Sequence, residues 1–170
     1  HKALEVGTKL DRSGSYTTLD LIQGLKWVRD NIKTFRGDPN NVTIMGQSAG
    51  CMNVWGLLQT PLSDGLFHKA VCSSGLPNIY PKVVARLRAA DFLETLVFNA
   101  GLVADRKNAG DFVNGKNEKW IREFLYARTS AELVMAQDYS VPVQHIEDDF
   151  VFPYGLHATA LGFYKKVPMI

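Results

Sequence analysis

Apolar side chains first fall into a helical period at Leu21, Leu25, Val28, Ile32 and Phe35. Alternating steps of four and three residues place these side chains on one stripe, which predicts an amphipathic helix. Asp20 stands near its start, where a carboxylate meets the positive end of the helix dipole. Residues 1–18 read as irregular and polar, with Ser13-Gly14-Ser15 as a turn, and Gly37-Asp38-Pro39-Asn40 closes the helical region with turn formers. The period then changes. Val42-Thr43-Ile44-Met45 is a short β-branched run closed by Gly46, with the length and make-up of a buried strand.

A second helix is expected from about Ala49 to Leu58, stopped before Pro61, and Lys69 to Ser73 is a second strand candidate ended by Ser74-Gly75. Helical spacing returns from Lys82 to Asn99, with Gly101 placed as a C-terminal cap. Asn117 to Tyr126 is a shorter amphipathic helix with Trp120, Ile121, Phe124 and Leu125 on one side. Thr129-Ser130-Ala131-Glu132 reads as a capping box that opens a helix through Ala136. After Ala136 a loop is expected through His145 to Phe152, then a short helix near Leu156 to Leu161, and the start of a strand at Val167-Pro168-Met169-Ile170.

Composition narrows the classes. A chain of 170 residues, 46% hydrophobic and 21% charged, is expected to be one domain able to bury a core. A net charge of +2 argues against nucleic-acid and membrane partners, and the basic run Arg86-Leu87-Arg88 reads as a solvated helix face. No apolar run reaches the length of a membrane span, and no signal-peptide pattern opens the chain. The two cysteines, Cys51 and Cys72, cannot define a disulfide framework; buried free thiols are the default reading, with a disulfide as the alternative. Compartment and oligomeric state stay open.

Chemistry enters at Gly46-Gln47-Ser48-Ala49-Gly50. A serine hydroxyl becomes an effective nucleophile only when a base can take its proton and its oxygen projects into a site. A sharp strand–turn–helix elbow meets the second need, and glycines two positions before and after the serine remove side chains where strand and helix approach. The helix that follows aims the Ala49 N–H where an oxyanion would form. A pentapeptide of this form also arises by chance, so the strand-like residues before it and helix-like residues after it carry the weight; the bland reading is a glycine-rich turn with an inert serine. The later histidines are His68, His145 and His157. Ser48–Asp149–His157 is an arithmetically possible internal triad, but eight residues between acid and base is tight for a fold that normally places them after different strands. These histidines therefore read as structural. No metal or cofactor is expected.

The stretch from Leu19 to Gly75 resembles the type B carboxylesterases, the family that includes the cholinesterases. Trp27 to Ile32, Phe35 to Thr43, Gly46 to Gly50, Pro61-Leu62-Ser63, Gly65 to Ala70 and Ser74-Gly75 carry the likeness, in order and at matching spacing. It weakens between about 80 and 140 and returns at Asp148 to Pro153 and Gly162 to Ile170. The resemblance implies an α/β fold, part of an α/β-hydrolase three-layer sandwich with an incomplete sheet and helices on both faces. It implies hydrolysis of small-molecule carboxylic esters through an acyl-enzyme on Ser48, with Ala49 as one oxyanion donor and Tyr80 near the acyl pocket; core packing explains a buried aromatic there equally well. Gln47 departs from the usual glutamate, which removes a negative charge beside the site and argues against a choline ester. Asp149 stands where the family commonly has glycine, with no consequence assigned.

The same resemblance implies that residues 1–170 are an internal fragment, roughly the middle third, of one catalytic domain. The family's glycine-rich oxyanion loop is expected upstream, and its catalytic acid and histidine beyond Ile170. The isolated chain is accordingly expected to be inactive. A competing reading is a catalytically silent, cholinesterase-like interaction or adhesion domain, against which the retained serine counts.

Overall fold

Residues 2–138 and 145–170 are described by a computed structural model. The described residues divide into two compact units, one of residues 7–82 and 145–170, the other of residues 2–6 and 83–138.

The first unit opens on a capping box. The Thr8 hydroxyl accepts the Asp11 N–H while the Asp11 carboxylate takes the Thr8 N–H at 2.7 Å, so α1 (Lys9–Ser13) forms where irregular chain was expected. The next helix, α2 (Tyr16–Asn31), continues into a 3₁₀ turn at Ile32–Phe35 and begins early enough to leave Asp20 outside its first turn. The expected apolar stripe is not its buried face. Thr18 and Ile22 are buried, whereas Leu21 is exposed and Phe35 is 64% exposed. Ile22 and Leu25 meet the core, while Trp27 and Phe35 pair outside it with ring centroids 6.0 Å apart.

Two parallel strands follow, β1 (Thr43–Gln47) and β2 (Lys69–Ser73), in register from Thr43↔Lys69 to Gln47↔Ser73. β1 thus runs through Gly46 instead of closing there. The crossover helix α3 (Ala49–Gln59) packs on both strands. Ile44 and Ala70 join Val54, Leu57, Leu58, Leu66 and Phe67 in the core, while Met45, on the opposite face of β1, is 77% exposed. The end of the chain forms the expected extension. Ala70 N–H donates to Pro168 O at 3.0 Å and Cys72 N–H to Ile170 O at 2.7 Å, with a parallel bridge from Ala70 to Met169.

Two short parallel strands, β3 (Ile79–Tyr80) and β4 (His145–Ile146), make a second pairing, so the loop expected after Ala136 carries a strand at His145, while its part at 139–144 lies outside the described residues. Val151 and Phe152 pack with Ile79 behind it. The short helix expected near Leu156 is a 3₁₀ turn at Gly155–His157.

The second unit contains α4 (Lys82–Asn99), α5 (Ala109–Asn114), α6 (Glu118–Tyr126) and α7 (Ser130–Ala136). Leu93, Leu96 and Val97 pack with Val113, Ile121 and Phe124. Gly101 takes the expected left-handed conformation at φ 69°, and the Thr129–Glu132 capping box is formed. α5 lacked a sequence signal long enough to predict it.

Candidate active site

β1 and α3 meet at a turn that the sequence permits only at particular residues. A Cβ on Gly46 would lie 2.2 Å from the carbonyl carbon and oxygen of Gly50, which no side chain tolerates. Ser48 sits in the turn with φ 51° and ψ −116°, a conformation that non-glycine residues rarely adopt. Its N–H donates to Ser73 O at 2.8 Å, and its carbonyl accepts the Met52 N–H at 3.1 Å, the first intrahelical bond of α3. Ala49 and Gly50 therefore open the helix with N–H groups that have no acceptor within it. Ser48 and Ala49 are exposed, and the Ser48 hydroxyl makes no cap hydrogen bond. Gln47, exposed at the end of β1, pairs with Ser73.

The expectation that both motif glycines avoid a collision needs correction. A Cβ on Gly50 would meet nothing within 4 Å, because that position of the helix faces open space. The close approach falls instead on Gly75, where a Cβ would lie 2.7 Å from Cys51 Cβ and Sγ and 2.8 Å from Ser48 O. The free-thiol reading is also corrected. Cys51 and Cys72 are joined in a disulfide with a Cα–Cα distance of 4.7 Å. The crossover brings the first turn of α3 over β2, which a separation of 21 residues along the chain does not reveal.

Each later histidine has its own setting. His68 Nδ1 accepts the Val42 N–H at 3.2 Å, so its imidazole secures the entry to β1. His145 is buried; its Nε2–H donates to Met52 O at 3.1 Å and Nδ1 lies 3.4 Å from the Thr18 hydroxyl. Burial pushes its pKa below the ordinary histidine value, opposed by the bond to the Met52 carbonyl. His157 and Asp149 are both exposed, and among the described residues no hydrogen bond links them to Ser48. Tyr80, half-buried on β3, pairs with Ile146 and accepts the Glu147 N–H at its carbonyl, 2.8 Å away; these contacts tie it to β4.

The turn thus gathers Gly46, Gln47, Ser48, Ala49 and Gly50 and adds the Ser73 carbonyl and Gly75, which sequence reasoning missed, and the disulfide, which it held only as the alternative. Ser74-Gly75 was visible as a turn, but its packing partner was not. Chemically, the arrangement offers an exposed hydroxyl beside a backbone donor at a helix N-terminus.

Residues 6–170 match the model of the carboxylesterase family. Carboxylesterase 5A of Homo sapiens is 40% identical over 158 residues, covering 92% of this chain and 26% of that protein. Para-nitrobenzyl esterase of Bacillus subtilis is 47% identical over 83 residues, 49% of this chain and 17% of that protein. A solved PNB esterase superimposes over 89% of this chain and 31% of its own with a TM-score of 0.65 at 31% identity. A Geobacillus stearothermophilus carboxylesterase does so over 89% and 29%, with a TM-score of 0.64 at 28% identity. This chain spans well under half the length of these relatives.

Proposed function

This chain belongs to the carboxylesterase family and has an α/β-hydrolase fold, and from that premise we propose that Ser48 is the nucleophile of a serine carboxylesterase. The observation that carries the reading is the Ser48 backbone, a non-glycine residue at φ 51° between a parallel strand and a helix N-terminus. Such strain costs roughly 1–3 kcal/mol and persists where the surroundings impose it, characteristically at functional sites. In the strand–turn–helix elbow it projects a serine oxygen away from the backbone.

In the proposed reaction Ser48 Oγ attacks the ester carbonyl carbon as a histidine takes its proton. The Ala49 N–H donates one hydrogen bond to the resulting oxyanion. Collapse expels the alcohol, which receives the proton from the histidine. Water, deprotonated by the same base, then attacks the acyl-enzyme; the bond to Ser48 Oγ breaks, that oxygen takes back the proton, and the acid is released. We assign the histidine and its carboxylate partner to positions outside these 170 residues, because His68 and His145 hold structural hydrogen bonds and His157 bonds neither Ser48 nor Asp149. The 170-residue chain alone is accordingly inactive. Gln47 leaves the site without the carboxylate that would attract a cation, which favours neutral esters. Tyr80 belongs to the acyl pocket in this reading. The chemistry uses no metal or cofactor.

The test is labelling of the full-length parent with a fluorophosphonate probe, followed by peptide mass spectrometry. An adduct on Ser48, absent after Ser48→Ala, is expected. No adduct there, while a control serine hydrolase labels normally, would reject the reading in favour of a silent interaction domain.

A further inference from the structure

The disulfide lies in the same packed contact as Ser48. Cys51 stands in the first turn of α3, three residues after Ser48, and is 0% exposed. Cys72 pairs with Gly46 in the sheet and immediately precedes Ser73, whose carbonyl holds the Ser48 N–H at 2.8 Å. Gly75 fills the remaining space, with no room for a Cβ between Cys51 and Ser48 O. The turn is therefore tied to β2 twice, once by a hydrogen bond and once by a covalent bridge from its own helix turn.

We propose that the Cys51–Cys72 disulfide is a positioning device for Ser48, and that its reduction lowers turnover, making the esterase responsive to thiol reductants. The proposal rests on the reading of Ser48 as nucleophile. A backbone at φ 51° is held only where its surroundings over-determine it. Removing the bridge leaves the Ser73 carbonyl as the remaining direct tie. The Ala49 N–H rides on the same helix turn as Cys51, so loosening that turn displaces nucleophile and oxyanion donor together. Such displacement weakens contacts made in the transition state more than contacts made to bound ester, so kcat falls while KM holds.

Cys72 is partly exposed whereas Cys51 is fully buried, so reduction begins at Cys72. A thiolate of an added dithiol attacks Cys72 Sγ, and Cys51 Sγ leaves as a thiolate that takes up a proton. The reagent's second thiol then displaces Cys72 from the mixed disulfide. The products are two protein thiols and the oxidised, cyclic reagent.

The experiment uses the full-length parent, purified without reductant. Alkylation and peptide mass spectrometry should find Cys51 and Cys72 blocked before dithiothreitol and both alkylated after it. Kinetics on a neutral nitrophenyl ester should show kcat falling roughly tenfold, below the ~100-fold that a 1 Å misplacement costs, with KM changed less than about twofold. Reoxidation should restore kcat. Cys51→Ala/Cys72→Ala should start at the lowered kcat and ignore the reductant, which excludes other cysteines of the parent as the cause. Alkylation of both cysteines in the untreated enzyme, or an unchanged kcat after verified reduction, would overturn the proposal. Fluorophosphonate labelling separates the two ideas. No adduct on Ser48 in the oxidised enzyme rejects the nucleophile itself; equal labelling rates before and after reduction reject only the positioning role.

Discussion

The Ser48 N–H donates to the Ser73 carbonyl across 2.8 Å, one residue beyond the last register pair of β1 and β2. The parallel ladder is thereby carried past the strand and into the turn. The end of one strand holds the first turn of the helix that follows its neighbour, and the exposed serine inherits the rigidity of a sheet.

Gly46 and Gly50 should respond oppositely to alanine, although the motif treats them alike. Gly46→Ala drives a Cβ to 2.2 Å from the Gly50 carbonyl, so the turn must shift or the protein lose stability, by about 1–3 kcal/mol as for other overpacked sites. Gly50→Ala enters open space within a helix, where alanine is favoured by up to ~1 kcal/mol. Urea midpoints of the two variants check this, and equal destabilisation would contradict it.

Ser48→Gly should gain stability while losing function. Glycine occupies φ 51° without steric cost, so relief of about 1 kcal/mol is expected in the unfolding free energy. On the proposed reading, kcat of the parent enzyme falls by at least ~1,000-fold. A variant that keeps activity would remove Ser48 from the chemistry.

His145 should make stability depend on pH in a defined window. Its folded pKa lies below the ordinary value of about 6.5, because burial disfavours the imidazolium. The unfolded chain therefore binds more protons below about pH 6.5. Stability is full above that pH and declines as pH falls, until the folded state protonates too. Urea midpoints at pH 7.5 and 5.5 should differ, and less so in His145→Gln. Identical differences in both proteins would exclude His145 as the origin.

Thr129→Ala should weaken α7. The Thr129 hydroxyl accepts the Glu132 N–H at 3.3 Å, while the Glu132 carboxylate takes the Thr129 N–H at 2.7 Å. Losing the cap costs about 1 kcal/mol. Thermal unfolding followed by circular dichroism measures it; an unchanged midpoint would show that the box contributes nothing.

Much of this chain was legible because local rules decide it. The limits of α4 and β2, the cap at Thr129 and the left-handed Gly101 depend on residues within a turn or two of each position. The α2 stripe was less secure. Periodicity announces an apolar face, but the phase of that face is set by what it meets, and Ile22 rather than Leu21 meets the core. The capping box at Thr8 and Asp11 is local as well, but it carries no apolar stripe, and a polar segment without one can still form a single helical turn.

By itself, the sequence determined the elbow: a strand, Gly46-Gln47-Ser48-Ala49-Gly50 and a helix in direct succession, within a chain whose wording resembles one esterase family. Such a motif is contiguous, so its geometry is written in neighbouring residues. What grips the elbow comes from contacts made across the fold. The Ser73 carbonyl, Gly75 and the Cys51–Cys72 bridge reach Ser48 across a parallel crossover. No local preference encodes that proximity, because it arises when α3 folds back over β2 to bury Val54 and Leu57 against Ile44 and Ala70.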